Sequence, residues 1–256
     1  MKGWALGLAL AGLAGFSGAH AQTFLGFRLL DFDGIFVRWS SNGAVSGAAA
    51  SAEPVTVTYA FVEQPVQFKD ARNCSAMVPL DNLLTRSKIA ASTFREEVVA
   101  AFAMWEQAAN IRFTPAAPGT KPGILIGAQR DPVAQAFADV AYAKGAPGPL
   151  RPIERSLICF NPEKRWKVGF DGNLAVYDLR YTLAHEIGHA IGLDHPEPHG
   201  QVMSMRYHEE FRTLQDGDVS GVVRIYGLPL SRRHAANANP DAADGVAAST
   251  WIRTPD

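Results

Sequence analysis

The most constraining feature of this chain is the eleven-residue run His185-Glu186-Ile187-Gly188-His189-Ala190-Ile191-Gly192-Leu193-Asp194-His195, which gathers three of its seven histidines. Leu179, Leu183, Ala184, Ile187 and Ile191 recur through it at helical spacing, so a helix is expected over 177–193, with Asp178 placed to cap it and Gly192 to end it. On a helix, residues four apart share a face one turn apart. His185 and His189 therefore aim their rings at a common point, with Glu186 on the adjacent face. A left-handed Gly192 would reverse the chain sharply and return His195 to the same point.

Three neutral imidazoles that converge with a fourth position open describe a catalytic zinc site, because structural sites usually close all four positions with protein ligands. His185, His189 and His195 are the expected ligands. Zinc lowers the pKa of a bound water toward about 7, and Glu186 is placed to accept that proton as general base and return it to a leaving amine. Residue frequencies in this chain would produce the eleven-residue pattern by accident in roughly two sequences per hundred thousand, which sets aside ordinary core or surface histidines. His199 and His208 lie near enough in sequence to replace His195 if the turn at Gly192 were different, though a surface position suits each better; His234 is in the tail.

With Met203 eight residues after His195, the motif resembles the metzincin metalloproteases, and most closely the matrixin branch with its secreted bacterial members. The resemblance extends over most of 55–227: the stretch 94–113 looks like the first matrixin helix and the strand after it, and 214–227 like the closing helix. It implies an α+β fold: a mixed twisted sheet, an active-site helix and a small C-terminal subdomain after the third histidine. It further implies one catalytic zinc and a secreted zinc-dependent endopeptidase that hydrolyses peptide bonds with a zinc-bound water activated by Glu186. Met203 would be the Met-turn, an apolar floor beneath the metal. Met205-Arg206-Tyr207 also resembles the Met-x-Tyr of astacin-like relatives, which makes Tyr207 a candidate accessory residue and otherwise a wall of the substrate pocket. The strand over 137–143 would edge the cleft and bind extended protein or peptide substrates by strand addition.

The departures from the family pattern are as informative. Animal matrixins carry a second, structural zinc built from histidines and an aspartate, and no histidine occurs here from Gln22 to Ala184. Asp131, Asp139, Asp171 and Asp178 could supply oxygen ligands, but their spacing leaves structural calcium unsupported. The alternative function is a non-catalytic zinc-containing peptide-binding module, against which Glu186 argues because a binder needs no base beside the water.

Lys2, the apolar run Trp4–Phe16 and Ala19-His20-Ala21 mark 1–21 as a signal peptide cleaved before Gln22, which implies export to the periplasm or the extracellular space. That run is shorter than the roughly 20 residues of a spanning helix, so no stable membrane insertion is expected. Residues 22–52 open with Phe24, Phe27, Leu29, Leu30, Phe32 and Trp39 and end in a Ser/Ala/Gly linker. They form an N-terminal segment that is either a removable pro-segment, with Asp31 and Asp33 able to block the metal, or an ordered arm. The metalloprotease domain is expected over 53–229 and a flexible tail over 230–256. Strands are expected at 55–61, 111–114, 124–127, 137–143 and 156–160, with an amphipathic helix over 92–109 capped by Ser92 and carrying Glu96 and Glu97 in its first turn.

Cys74 and Cys159 are the only cysteines, which in an exported chain points to one disulfide; a Cys74 thiolate capping the metal is the competing reading. With 24 basic and 25 acidic residues, no global field favours nucleic acid. A monomer is expected, since no segment suggests an interface.

Overall fold

The computed structural model describes residues 26–40, 53–197 and 200–233; the expected signal peptide, Phe24, the linker over 41–52, His199 and the tail from His234 lie outside them. Two short strands, β1 (Arg28–Leu29) and β2 (Phe36–Arg38), come first. The body then runs β3 (Val55–Phe61), β4 (Val66–Gln67), β5 (Ala76–Val78), α1 (Asp81–Ser87), α2 (Ala91–Ala108), β6 (Ile111–Pro115), β7 (Ile124–Gln129), β8 (Ala136–Tyr142) and β9 (Leu150–Phe160). It closes with β10 (Trp166–Lys167), β11 (Tyr177–Asp178), α3 (Leu179–Ala190), β12 (Leu193–Asp194) and α4 (Asp216–Tyr226), an α+β arrangement.

Val55, Val57 and Tyr59 of β3 are buried while Thr56 is exposed, so period-two alternation gives the sheet one apolar face. β3 pairs in parallel with β6 and β7, and β7 in parallel with β9. Parallel neighbours need a crossover, which α2 supplies between β3 and β6. β8 runs antiparallel to β9 and has no other strand partner among the described residues, so it is an open edge.

Helix α2 lays Phe94, Val98, Phe102 and Trp105 on the sheet, and leaves Val99 exposed on its far flank. Phe102 stacks on Phe113 at 4.3 Å between ring centres, and the Trp105 indole N–H donates to the Ala184 carbonyl at 3.0 Å, joining α2 to α3. The expected Ser92 cap is corrected. The chain leaves α1 through a left-handed Lys88 and enters α2 from an extended Ala90, which occupies the cap position without a side-chain bond. Glu97 is likewise no surface partner of the helix dipole: it turns inward and binds Arg180 (2.7 and 2.8 Å) and Arg212 (2.9 Å).

On the other face of the sheet, Val62, Met77 and Leu157 gather around a disulfide between Cys74 and Cys159. Both sulfurs are consumed, which leaves no thiolate for a metal. The Asp139 carboxylate on β8 accepts the Asn73 and Cys74 amides (2.7 and 2.6 Å), so the disulfide loop is fastened to the open edge.

Residues 26–40 pack on the body. β1 pairs antiparallel with β12, β2 pairs parallel with the start of β9, and Val37 and Trp39 are buried. Between them, Asp33 (φ 54°) and Gly34 (φ 84°) form a two-residue turn closing the Asp31–Phe36 bridge, a backbone that Asp-Gly tolerates. Asp31 accepts the Gly34 amide at 2.6 Å there, and neither Asp31 nor Asp33 joins the histidines.

Candidate metal centre

Helix α3 begins where the buried Asp178 carboxylate accepts the Tyr181 amide at 2.9 Å, satisfying one of the open donors of the first turn. Arg212 holds the same carboxylate at 3.0 and 3.1 Å, so the cap carries a compensated charge. The helix stops at Ala190, and Gly192 takes φ 108°. That backbone suits glycine, and a Cβ there would also overlap the Val37 carbonyl of β2.

Beyond this turn the chain brings together His185, His189 and His195. Their Nε2 atoms form a triangle with sides of 3.0, 3.1 and 3.2 Å. Nitrogens about 2.0–2.1 Å from a tetrahedral zinc lie about 3.3 Å from one another, so the triangle fits that ion closely. The tautomers also fit. His185 Nδ1 donates to the Val202 carbonyl (2.7 Å) and His189 Nδ1 to the Leu193 carbonyl (2.8 Å), which leaves each Nε2 lone pair facing the centre. Burial pulls all three imidazoles below the usual 6.5, His189 to about 4, and the neighbouring rings add to the effect on His185 and His189. Neutral rings are what a metal requires.

Met203 lies directly beneath, packed so closely on Gly188 that a Cβ there would overlap its sulfur. Gln201 to Ser204 form a turn closed by the Ser204 amide on the Gln201 carbonyl at 3.0 Å. Asp218 of α4 fastens this turn, its buried carboxylate accepting the amides of Val202 and Met203 (both 3.0 Å) and of Gln215 (2.9 Å). Since the Val202 carbonyl orients His185, Asp218 reaches the first histidine through a single peptide. No sequence spacing exposes that role; an aspartate near the start of a last helix reads as a dipole partner. Met205, the methionine of the Met-x-Tyr resemblance, is exposed at the cleft rim.

Glu186 is 6% exposed, lines the cleft, and accepts no hydrogen bond from a described residue. Burial lifts its carboxyl to about 8, with the Asp139 charge adding to the rise. A cation at the triangle would favour the carboxylate and bring it down. The cleft, of about 1100 Å³, runs along β8 over the histidines. Tyr207 forms part of its wall. The hydroxyl accepts the Asp178 amide (2.9 Å) and donates to Glu209 (2.8 Å), and burial followed by that Glu209 bond raises its pKa.

His208 stays out of the cluster, which is the one group of three or more metal-capable residues among those described. Asp171 pairs with Lys167, and Asp131 with Arg130 (3.3 Å). The four aspartates considered for calcium thus all have protein partners. The family model described as Matrixin, of peptidase family M10, matches residues 81–227, which is more than half of the chain and runs from α1 to the residue that ends α4.

Proposed function

The chain belongs to the matrixin family, zinc metallopeptidases that act on proteins, and from that premise we propose an exported, monomeric endopeptidase with His185, His189 and His195 as zinc ligands and Glu186 as general base. The observation that carries this reading is a buried carboxyl with no hydrogen-bond partner among the described residues, beside three imidazole lone pairs set at ligand spacing. Zinc, when bound, supplies a Lewis acid and an acidified water. The protein supplies the rest. Val202 and Leu193 hold two rings in the ligating tautomer, Met203 keeps the floor dry, and the open edge of β8 offers backbone groups to an extended peptide. Glu186 takes up a proton in the cleft and delivers it to the leaving amine.

Among the described residues no helix is long and apolar enough to cross a membrane. Export rests on the signal-like residues 1–21.

The test is cleavage of a denatured protein mixture by the purified protein, read from new termini by mass spectrometry, with and without a chelator. Glu186→Gln should lower turnover by about 10²–10⁴ while the zinc content stays unchanged. Equal cleavage by the variant would remove Glu186 from the mechanism. Retained zinc and peptide binding with no cleavage by the parent protein would favour the binding module.

A further inference from the structure

Residues 26–40 lie outside the stretch that matches the family, yet they hold the turn before His195 almost residue by residue. The Trp39 indole donates to the Ala190 carbonyl at 2.9 Å. The Tyr226 hydroxyl donates to the Ile191 carbonyl (2.8 Å) while accepting the Trp39 amide (3.0 Å). The Leu30 amide donates to the Gly192 carbonyl (2.8 Å), β1 pairs with Leu193 and Asp194, and Arg28 meets the Asp194 carboxylate at 3.1 Å. The next residue is His195.

The same arm reaches the cleft. Leu30 and Phe32 line it with Val140 and His195, and the Phe32 ring lies 5.0 Å from the Tyr142 ring at the end of the open strand. Phe32 is held rigidly, because its amide donates to the Ile35 carbonyl (2.9 Å) and the Ile35 amide donates back (3.2 Å) across the Asp33-Gly34 turn. A removable inhibitor would sit on the histidines and be joined weakly elsewhere. This arm does the reverse: Val37 and Trp39 are buried in the core, and none of its described side chains bonds to a cluster histidine.

We propose that residues 26–40 remain on the working enzyme as a fixed wall of the cleft, and that Leu30 and Phe32 with Val140, Phe32 being backed by the Tyr142 ring, form an apolar subsite that selects a large apolar side chain of the substrate. This rests on the peptidase reading above. A large apolar residue then occupies one fixed position relative to the scissile bond, since both the wall and the histidines are rigid.

The experiment profiles cleavage of a peptide library by the full chain and by Phe32→Ala, Leu30→Ala and Phe32→Asp, with the N-terminus of the active species identified by mass spectrometry. Phe32→Ala should cut the preference for Leu or Phe over Gly at that position by about tenfold or more, read as the ratio of kcat/KM values within each protein. Phe32→Asp should shift the preference toward Lys and Arg. Leu30→Ala lies outside the turn and gives an independent reading if Phe32→Ala fails to fold. Binding of the same library to Glu186→Gln reads the subsite without turnover. Absent cleavage thus counts against the peptidase reading, while a binding preference lost in Phe32→Ala still supports the subsite. Profiles unchanged in all three variants, or an active species beginning after Ser40, would overturn the proposal.

Discussion

Gly188 separates the first two histidines of the motif, and its lack of a side chain can be converted into a measurable coupling. A methyl group there would overlap Met203 Sδ and stand 3.0 Å from both Met203 Cε and Trp105 Cζ2. Unstrained carbon contacts lie at about 3.5–4.0 Å, so the thioether and the indole must each retreat by about half an ångström or more. Neither moves easily. Met203 is 2% exposed with its amide on Asp218, and Trp105 is bonded to the Ala184 carbonyl. Overpacking of this kind costs about 1–3 kcal/mol, against about 1 kcal/mol gained from the higher helix propensity of alanine. Gly188→Ala should therefore destabilise the protein by up to about 2 kcal/mol in an otherwise unchanged chain. In a Met203→Ala background the thioether overlap is gone and only the indole contact remains, so the same substitution should cost at least about 1 kcal/mol less. Urea unfolding of the four proteins of this cycle, in chelator so that metal binding does not contribute, measures the difference. A Gly188→Ala effect that is the same in both backgrounds, within about 0.5 kcal/mol, would refute the close-packed floor.

Two further outcomes follow from buried charges. Asp218→Ala strips two buried amides and one half-buried amide of their acceptor, the buried ones at about 1–3 kcal/mol each, so thermal unfolding should show a loss of at least about 2 kcal/mol, and Asp218→Asn, which keeps one acceptor oxygen, a smaller one. The metal-free protein should also weaken in acid. His189 titrates at about 4 when folded and near 6.5 when unfolded, so the unfolded chain takes up the proton first. Its contribution is intact above pH 6.5 and falls as pH drops toward 4, by roughly 3 kcal/mol at most. Glu186, lifted to about 8, acts in the opposite sense and lowers stability as pH rises from 4.5 to 8. Chelated urea melts across this range should show both limbs, and Glu186→Gln should abolish the alkaline one while leaving the acid one.

Much of the fold was readable because the signals are local. The apolar spacing of 177–193, the Asp178 cap and the Gly192 stop lie within a few residues of one another, and helix geometry alone aims His185 and His189 alike. Strand β3 announced itself through Val55, Val57 and Tyr59. The Ser92 cap failed locally, because α2 already starts at Ala91, whereas Glu97 was misjudged because distant residues change its use. Glu97 is expected as a first-turn acid, but the start at Ala91 places it in the second turn, where Arg180 and Arg212 draw it inward from 83 and 115 residues away.

The sequence by itself determined that a helix would present two histidines and a glutamate, that a glycine turn would follow, and that a third histidine would come next. Periodicity and backbone sterics act over a few residues and need no partner to be legible. Only the tertiary structure decided that Asp218 pins the Met203 turn, that Gly188 must lack a Cβ, and that the arm from residue 26 grips Ala190 to Asp194 and walls the cleft with Leu30 and Phe32. Those roles arise from close packing and hydrogen bonding between segments far apart in the chain, and sequence spacing carries no record of which surfaces meet.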